Sequence, residues 1–169
     1  MQIVDFTTAH TEQAMQIAMQ NYNEERKYVP DLPIMENTPD LTPFAKNGLG
    51  VAVMDGHNLL GFLCCYEPFD NAFSIQGLRA VFSPMGANGT VKEKRAEIYA
   101  RLYQYAGAKW MKARVKSHAI CLYAHDAEAR AQFNRYGFGI RTIDAIRGMD
   151  EIVMPSCDEY IISEVKPED

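Results

Sequence analysis

The chain has 169 residues, of which 47% are hydrophobic and 23% charged, which fits one globular domain able to bury a core without disulfide or metal staples. A net charge of −5 argues against a nucleic-acid partner, and no apolar run approaches the roughly 20 residues of a membrane helix. No charged-then-apolar signal segment opens the sequence, and the four cysteines form no CxxC pair, so the expected location is cytoplasmic with reduced thiols. His10, His57, His118 and His125 lack ligand spacing, so no metal site is expected.

In chain order, MQIVDF alternates apolar and polar residues and reads as a strand. A helix follows over about Thr11–Tyr28, its inner face Ala14, Ile17, Ala18 and Tyr22. Tyr28–Asp40 carries three prolines and no period, so it is a loop. Thr38 and Pro39 read as the start of a short helix that Asn47-Gly48 ends. GVAVM, DGHN and LLGFLCCYEPF make a hairpin around an Asp-Gly turn, and Ala72–Phe82 reads as a further strand with a bulge at Gly77.

The longest helix is predicted from Thr90 to about Lys112, with Ile98, Leu102, Ala106 and Trp110 on one face. His118–Asp126 is β-rich, AEARAQFNRY is helical and ends at Gly137, and GFGIRTIDAIRGM and YIISEV read as strands. The order is β-α-α-β-β-β-α-β-α-β-β, an α/β sheet of mixed direction. A ligand in such a sheet belongs at the carboxyl ends of the strands flanking the crossover, here near Val81–Thr90 and His118–Asp126.

The element order, and the stretch HDAEARAQFNRYGF above all, resembles the GNAT family of N-acetyltransferases over nearly the whole chain. The family motif is Asn-x-x-Ala-x-x-x-Tyr-x-x-x-Gly-Phe; Asp126 stands at its Asn, Ala129 at its Ala and Phe133 at its Tyr. The resemblance implies an α/β fold with a mixed, mostly antiparallel twisted sheet, splayed central strands and about four helices. It implies acetyl-CoA as co-substrate and transfer of acetyl to a primary amine of a small molecule or peptide. The family tyrosine gives a proton to the departing thiolate, which Phe133 cannot do; Tyr123 and Tyr136 are the candidate substitutes.

The family's phosphate loop, Arg/Gln-x-x-Gly-x-Gly/Ala, overlays on Pro84–Gly89 without its leading Arg or Gln. The amides of Gly86, Ala87, Asn88, Gly89 and Thr90 are therefore assigned to the pyrophosphate, with Lys92, Lys94 and Arg95 adding charge. Backbone groups of Ala80, Val81 and Phe82 are assigned to the pantetheine arm and the acetyl carbonyl, with Asp126 also at the cofactor. Glu67 is the candidate base, and the acceptor is placed over the Tyr28–Asp40 loop, whose Tyr28, Asp31 and Met35 could shape specificity. Cys121 and Trp110 read as core.

The V-K-E-x-R run at Val91–Arg95, with SHAICLYAHD and GFGIRTIDAIR, resembles the N-terminal domain of tandem GNAT proteins. The expected organisation is a GNAT-like domain over 1–150, with 151–169 its closing strand or a link to a second domain. A homodimer or a second GNAT domain is the expected protein partner. The competing expectation is a non-catalytic GNAT-like domain that binds acyl-CoA or packs on a catalytic partner, motivated by Phe133, Asp126 and the missing loop Arg or Gln.

Overall fold

A computed structural model describes residues 1–151 together with Val153, Ser163 and Lys166. Strand β1 (Gln2–Asp5) runs antiparallel to β2 (Val51–Asp55), with Ile3 opposite Val53, and β2 runs antiparallel to β3 (Asn58–Leu63) through a tight turn at Gly56. Helix α1 (Thr11–Glu25) and the five-residue α2 (Thr42–Lys46) separate the first two strands.

The pleat of β2 explains its unbroken apolar run. Val51 and Val53 point into one cluster with Ile98, Leu102 and Trp110 of α3 (Arg95–Lys112). Ala52 points into the other, with Phe6, Ile17, Ala18 and Phe62 on the α1 side. A strand covered on both faces gains from apolar residues at every position. Gly61 of β3 lies where a side chain has no room: a Cβ there would meet Ile98 Cγ2 at 2.7 Å and Thr90 Cγ2 at 2.9 Å.

The segment 80–90 positions the site. It begins as β4 (Ala80–Ser83) and ends as β5 (Asn88–Thr90), which pairs antiparallel with β3, Gly61 opposite Thr90. Between them the pairing partner slips. Tyr66 N–H donates to Phe82 O at 2.9 Å and Cys64 N–H to Ala87 O at 2.9 Å, so β3's extension advances two residues while the facing chain advances five. Pro84-Met85-Gly86 is the resulting bulge, with Gly86 at φ +82°.

On its other edge β4 pairs in parallel with β6 (Ser117–Ile120), Ala80 opposite Ser117. The last rung is Cys121 N–H to Ser83 O at 2.9 Å. Beyond it no backbone hydrogen bond joins 84–90 to 122–126, because the first segment stays with β3. The central strands thus fork. The Asn88 side chain spans the base of the fork, donating to Cys121 O at 3.0 Å and Ser83 Oγ at 3.1 Å and accepting from the Tyr99 hydroxyl at 3.0 Å. Helix α4 (Ala127–Arg135) follows, capped by Asp126, whose Oδ1 accepts from Ala129 N–H at 2.9 Å.

Several expected elements differ. The predicted strand over Ala72–Phe82 is regular only from Ala80; Asn71, Phe73 and Ser74 have positive φ, and Asn71 Oδ1 accepts from Gly77 N–H at 2.9 Å to close a loop. Gly77 belongs to that loop and not to a strand bulge. Helix α3 starts at Arg95 rather than Thr90, because Thr90 is paired to β3. GFGIRTIDAIRGM forms no strand, and Ile140 and Ile143 stand exposed. Of the proposed 151–169 segment only Glu151, Val153, Ser163 and Lys166 are described, so the expected YIISEV strand lies, apart from Ser163, outside the described residues. No helix among the described residues is long and apolar enough to cross a membrane.

Candidate active site

Two cavities lie along the fork. The first, about 130 Å³, opens at the bulge and is lined by Ala18 and Tyr22 of α1, Met35 and Pro39 of the proline-rich loop, Met85, Gly86 and Tyr123. Its walls are apolar except at two points. Among the described residues the Gly86 N–H makes no hydrogen bond, since the bulge has taken it out of the β3 ladder. Nor does the Tyr123 hydroxyl find a hydrogen-bond partner there. Burial, reinforced by Tyr22 and Glu25, pushes that phenol up to about 12, so it holds its proton at neutral pH.

Tyr22 shapes this pocket differently. Its hydroxyl donates to Pro33 O at 2.8 Å, and Arg26 Nε donates to Leu32 O at 3.1 Å. Two side chains of the α1 end thus staple the 28–41 loop over the fork.

The second cavity, about 170 Å³, lies at the start of α3 and is lined by Glu24, Tyr28, Lys92, Arg95, His125, Asp126, Ala127 and Glu128. Arg95 donates to Glu24 at 2.8 Å and approaches Asp126 at 3.3 Å, with only 7% of its side chain exposed. Glu25 accepts from the His125 backbone N–H at 3.3 Å and contacts the His125 ring. Tyr28 stacks on that ring, centroids 4.9 Å apart and 6° from parallel.

The electrostatics are mixed. Burial pushes the Glu24 carboxyl up, but Arg95, through its hydrogen bond and charge, together with His125 and Lys92, brings it below the ordinary value. Asp126 is raised, because burial outweighs its bond from Ala129 and the pull of Arg95. Among the described residues no cluster of His, Cys, Asp and Glu could hold a metal.

The sequence-predicted residues separate accordingly. Gly86 and Tyr123 meet in the first cavity, and Asp126 borders the second. Ala80 and Val81 are fully buried, and Ala80 N–H is spent on Phe69 O at 3.0 Å; Phe82 sits half-buried beside Tyr66.

Ala87, Asn88, Gly89 and Thr90 do not gather at the helix start as a phosphate cradle. Ala87 N–H closes the turn onto Pro84 O at 3.0 Å, Asn88, Gly89 and Thr90 pair with β3 as a strand, and Thr90 N–H faces Asn21 Oδ1 at 3.4 Å. Gly89 is there for close packing, since a Cβ would meet Ile17 Cγ2 at 3.1 Å. Tyr136 lines neither cavity: its hydroxyl accepts from Gln104 at 2.9 Å and faces Ala100 O on α3. Glu67 is exposed beyond the end of β3 and lines neither cavity.

Sequence reasoning passed over Glu24, Glu25 and the His125 ring. Two carboxylates in the last turn of α1 oppose the helix dipole, and that was the available sign that cations from elsewhere must meet them.

No family model and no curated sequence matches the chain. Solved structures do. The tetramutant of the BH1408 protein from Bacillus halodurans superposes with a TM-score of 0.68 at 13% identity, covering 88% of this chain and 100% of that one. A predicted acetyltransferase from Clostridium acetobutylicum, with acetyl-CoA, gives 0.59 at 11% identity, over 88% and 94%. The ribosomal-protein-alanine N-acetyltransferase from Brucella melitensis biovar Abortus gives 0.54 at 12%, over 88% and 100%. The chain shares its fold with these acetyltransferase structures. The two cavities sit along the fork between β4 and β6, and the mixed sheet with four helices matches the fold class read from the sequence.

Proposed function

We propose that the chain is an N-acetyltransferase that moves acetyl from acetyl-CoA to a primary amine of a small molecule or peptide by direct attack. The observation that carries this reading is the pairing, in one pocket at the mouth of the fork, of an unspent N–H at Gly86 with an unpartnered, protonated phenol at Tyr123. Both residues are half-buried, so the two donors face a largely apolar pocket open to a ligand whose acceptors can take them up.

In this reading the Gly86 N–H donates to the acetyl carbonyl oxygen and stabilises the negative charge that grows there as the amine attacks. The new C–N bond forms and the C–S bond breaks. Tyr123 gives its proton to the departing sulfur, in place of the family tyrosine whose position Phe133 takes, and the amine's proton leaves to water. Holding both reactants under the stapled 28–41 loop supplies the proximity. The phosphates belong at the start of α3, where Lys92, Arg95 and His125 border the second cavity.

One observation favours a second reading, a non-catalytic domain that binds acyl-CoA or packs on a catalytic partner: Arg95 and His125 already hold carboxylates of this chain. Release of free CoA thiol from acetyl-CoA, followed over a panel of primary amines, separates the two. Amine-dependent release that Tyr123→Phe reduces supports the transferase; acyl-CoA binding with no release on any amine supports the second reading.

A further inference from the structure

We infer that Glu24 and Glu25 form a carboxylate latch: they occupy, as internal ligands, a phosphate-binding site built from Arg95, His125 and Lys92, and a phosphate ester must displace them to enter. The identity of that ester as the diphosphate of an acyl-CoA rests on the proposed transferase reading; the latch itself does not.

The donor set is the first ground. Glu24 takes the Arg95 guanidinium at 2.8 Å, while Glu25 takes the His125 ring and the His125 backbone N–H at 3.3 Å, two residues before α4 begins. A guanidinium, an imidazole and a backbone N–H beside helix starts are the groups that bind phosphate oxygens. Here carboxylates stand in their place. Both come from the last turn of α1, where the helix dipole opposes negative charge, so the cations across the cavity are what hold them.

The second ground is that the site is left incomplete. Arg95 Nε and His125 Nε2 are buried with no hydrogen-bond partner, His125 Nε2 standing 3.7 Å from Glu24 while Arg95 Nη1 also faces Asp126 at 3.3 Å, and both residues border the 170 Å³ cavity. The carboxylates do not exhaust the site. A tetrahedral dianion with more oxygens can take up donors that two planar carboxylates leave unspent. Lys92 stands at the same cavity and draws Glu24 downward in pKa through space, so its charge is felt where the incoming anion would sit.

The latch also has a connection to the other cavity. Tyr22 and Arg26, on either side of Glu24 and Glu25, hold the loop that supplies Met35 and Pro39 to the apolar pocket, and Tyr28 lies flat on His125. Displacing the two carboxylates moves the end of the helix that anchors that loop. Donor binding at one cavity is thereby coupled to the loop that lines the other.

Calorimetric titration of the full chain with acetyl-CoA and with inorganic pyrophosphate tests the latch, comparing wild type with Glu24→Gln and Glu25→Gln. These variants keep the side-chain shape and remove the competing charge. Both probes are expected to bind the variants at least about fivefold more tightly than wild type, the lower end of common coupling factors. Should loss of charge prevent folding, Glu25→Asp keeps the charge, shortens its reach by one methylene, and must still bind pyrophosphate more tightly than wild type.

Pyrophosphate binding that is unchanged or weaker in the variants overturns the latch, and acetyl-CoA binding alongside it leaves the transferase reading standing. Tighter pyrophosphate binding with no acetyl-CoA binding upholds the latch and removes the transferase reading. Absence of binding of either probe to every variant overturns the latch.

Discussion

Arg95 Nη2 donates to Glu24 Oε2 at 2.8 Å across 71 positions of sequence, tying the first residue of α3 to the last turn of α1. Asp126, 3.3 Å from the same guanidinium, brings the start of α4 into the contact. Three helix ends therefore meet on one buried cation. Replacing it by Arg95→Leu leaves two carboxylates without their partner and is expected to cost about 3–5 kcal/mol. The exposed Arg101–Glu97 pair, at 3.0 Å with side chains 45% and 47% exposed, makes the control: Arg101→Leu should cost less than about 1 kcal/mol. Urea unfolding of both variants measures the contrast.

Tyr123 and Tyr136 were equal candidates by sequence and are unequal in space. Tyr123→Phe removes the unpartnered phenol proton of the first cavity, that of Tyr22 being spent on Pro33 O, and should lower kcat by about 10²–10⁴ with little change in Tm. Tyr136→Phe, losing a surface contact with Gln104, should leave kcat within a small factor of wild type. A steady-state assay of both variants on one amine distinguishes them.

Gly86 sits at φ +82°, a conformation that costs a side-chain-bearing residue about 1–2 kcal/mol. A Cβ there would meet Pro39 Cγ at 3.5 Å, an ordinary contact, so the penalty is conformational rather than steric. Gly86→Ala should lose about that much stability, and Gly86→Asn less, since Asn tolerates positive φ. Gly61→Ala has the opposite cause: its Cβ would collide with Ile98 and Thr90, and overpacking of about 1–3 kcal/mol is expected regardless of backbone angle. Melting curves of the four proteins, wild type included, check both ranks.

Burial lowers the His118 imidazole below its ordinary value of 6.5. Between the lowered value and 6.5 the unfolded chain binds more protons than the folded one, so stability falls as pH drops through that window and is fully present above it. The ring is held by the Tyr103 hydroxyl at 2.9 Å and packs edge-on to Trp110. His10 shifts in the same direction by burial, so it adds to the wild-type slope. His118→Gln should therefore show a shallower loss of Tm than wild type between about pH 7.5 and 5.

What was legible in the sequence was local. The Ala14-Ile17-Ala18-Tyr22 face of α1 and the Asp55-Gly56 turn each depend on neighbours within a few residues, and each is where the pattern put it. Asn88-Gly89-Thr90 was not legible as a strand. Its glycine signals a turn by composition but is required by the close approach of Ile17 and Phe62, which only the folded sheet brings there. The Ala72–Phe82 run is apolar enough for a strand, yet its first half folds back through Phe73 and Ser74 at positive φ, with Phe73 beneath the Arg141 guanidinium. The Glu25–His125 contact spans 100 positions, beyond the reach of any periodicity.

The account stands most directly on the Gly86 N–H meeting the acetyl carbonyl in the fork. Amide chemical shifts of the ¹⁵N-labelled chain, titrated with acetyl-CoA and then with CoA, test it. The largest shift specific to acetyl-CoA should fall on Gly86, with further changes through 84–87 and 121–126. Shifts that leave those residues untouched, or none at saturating acetyl-CoA, would contradict it.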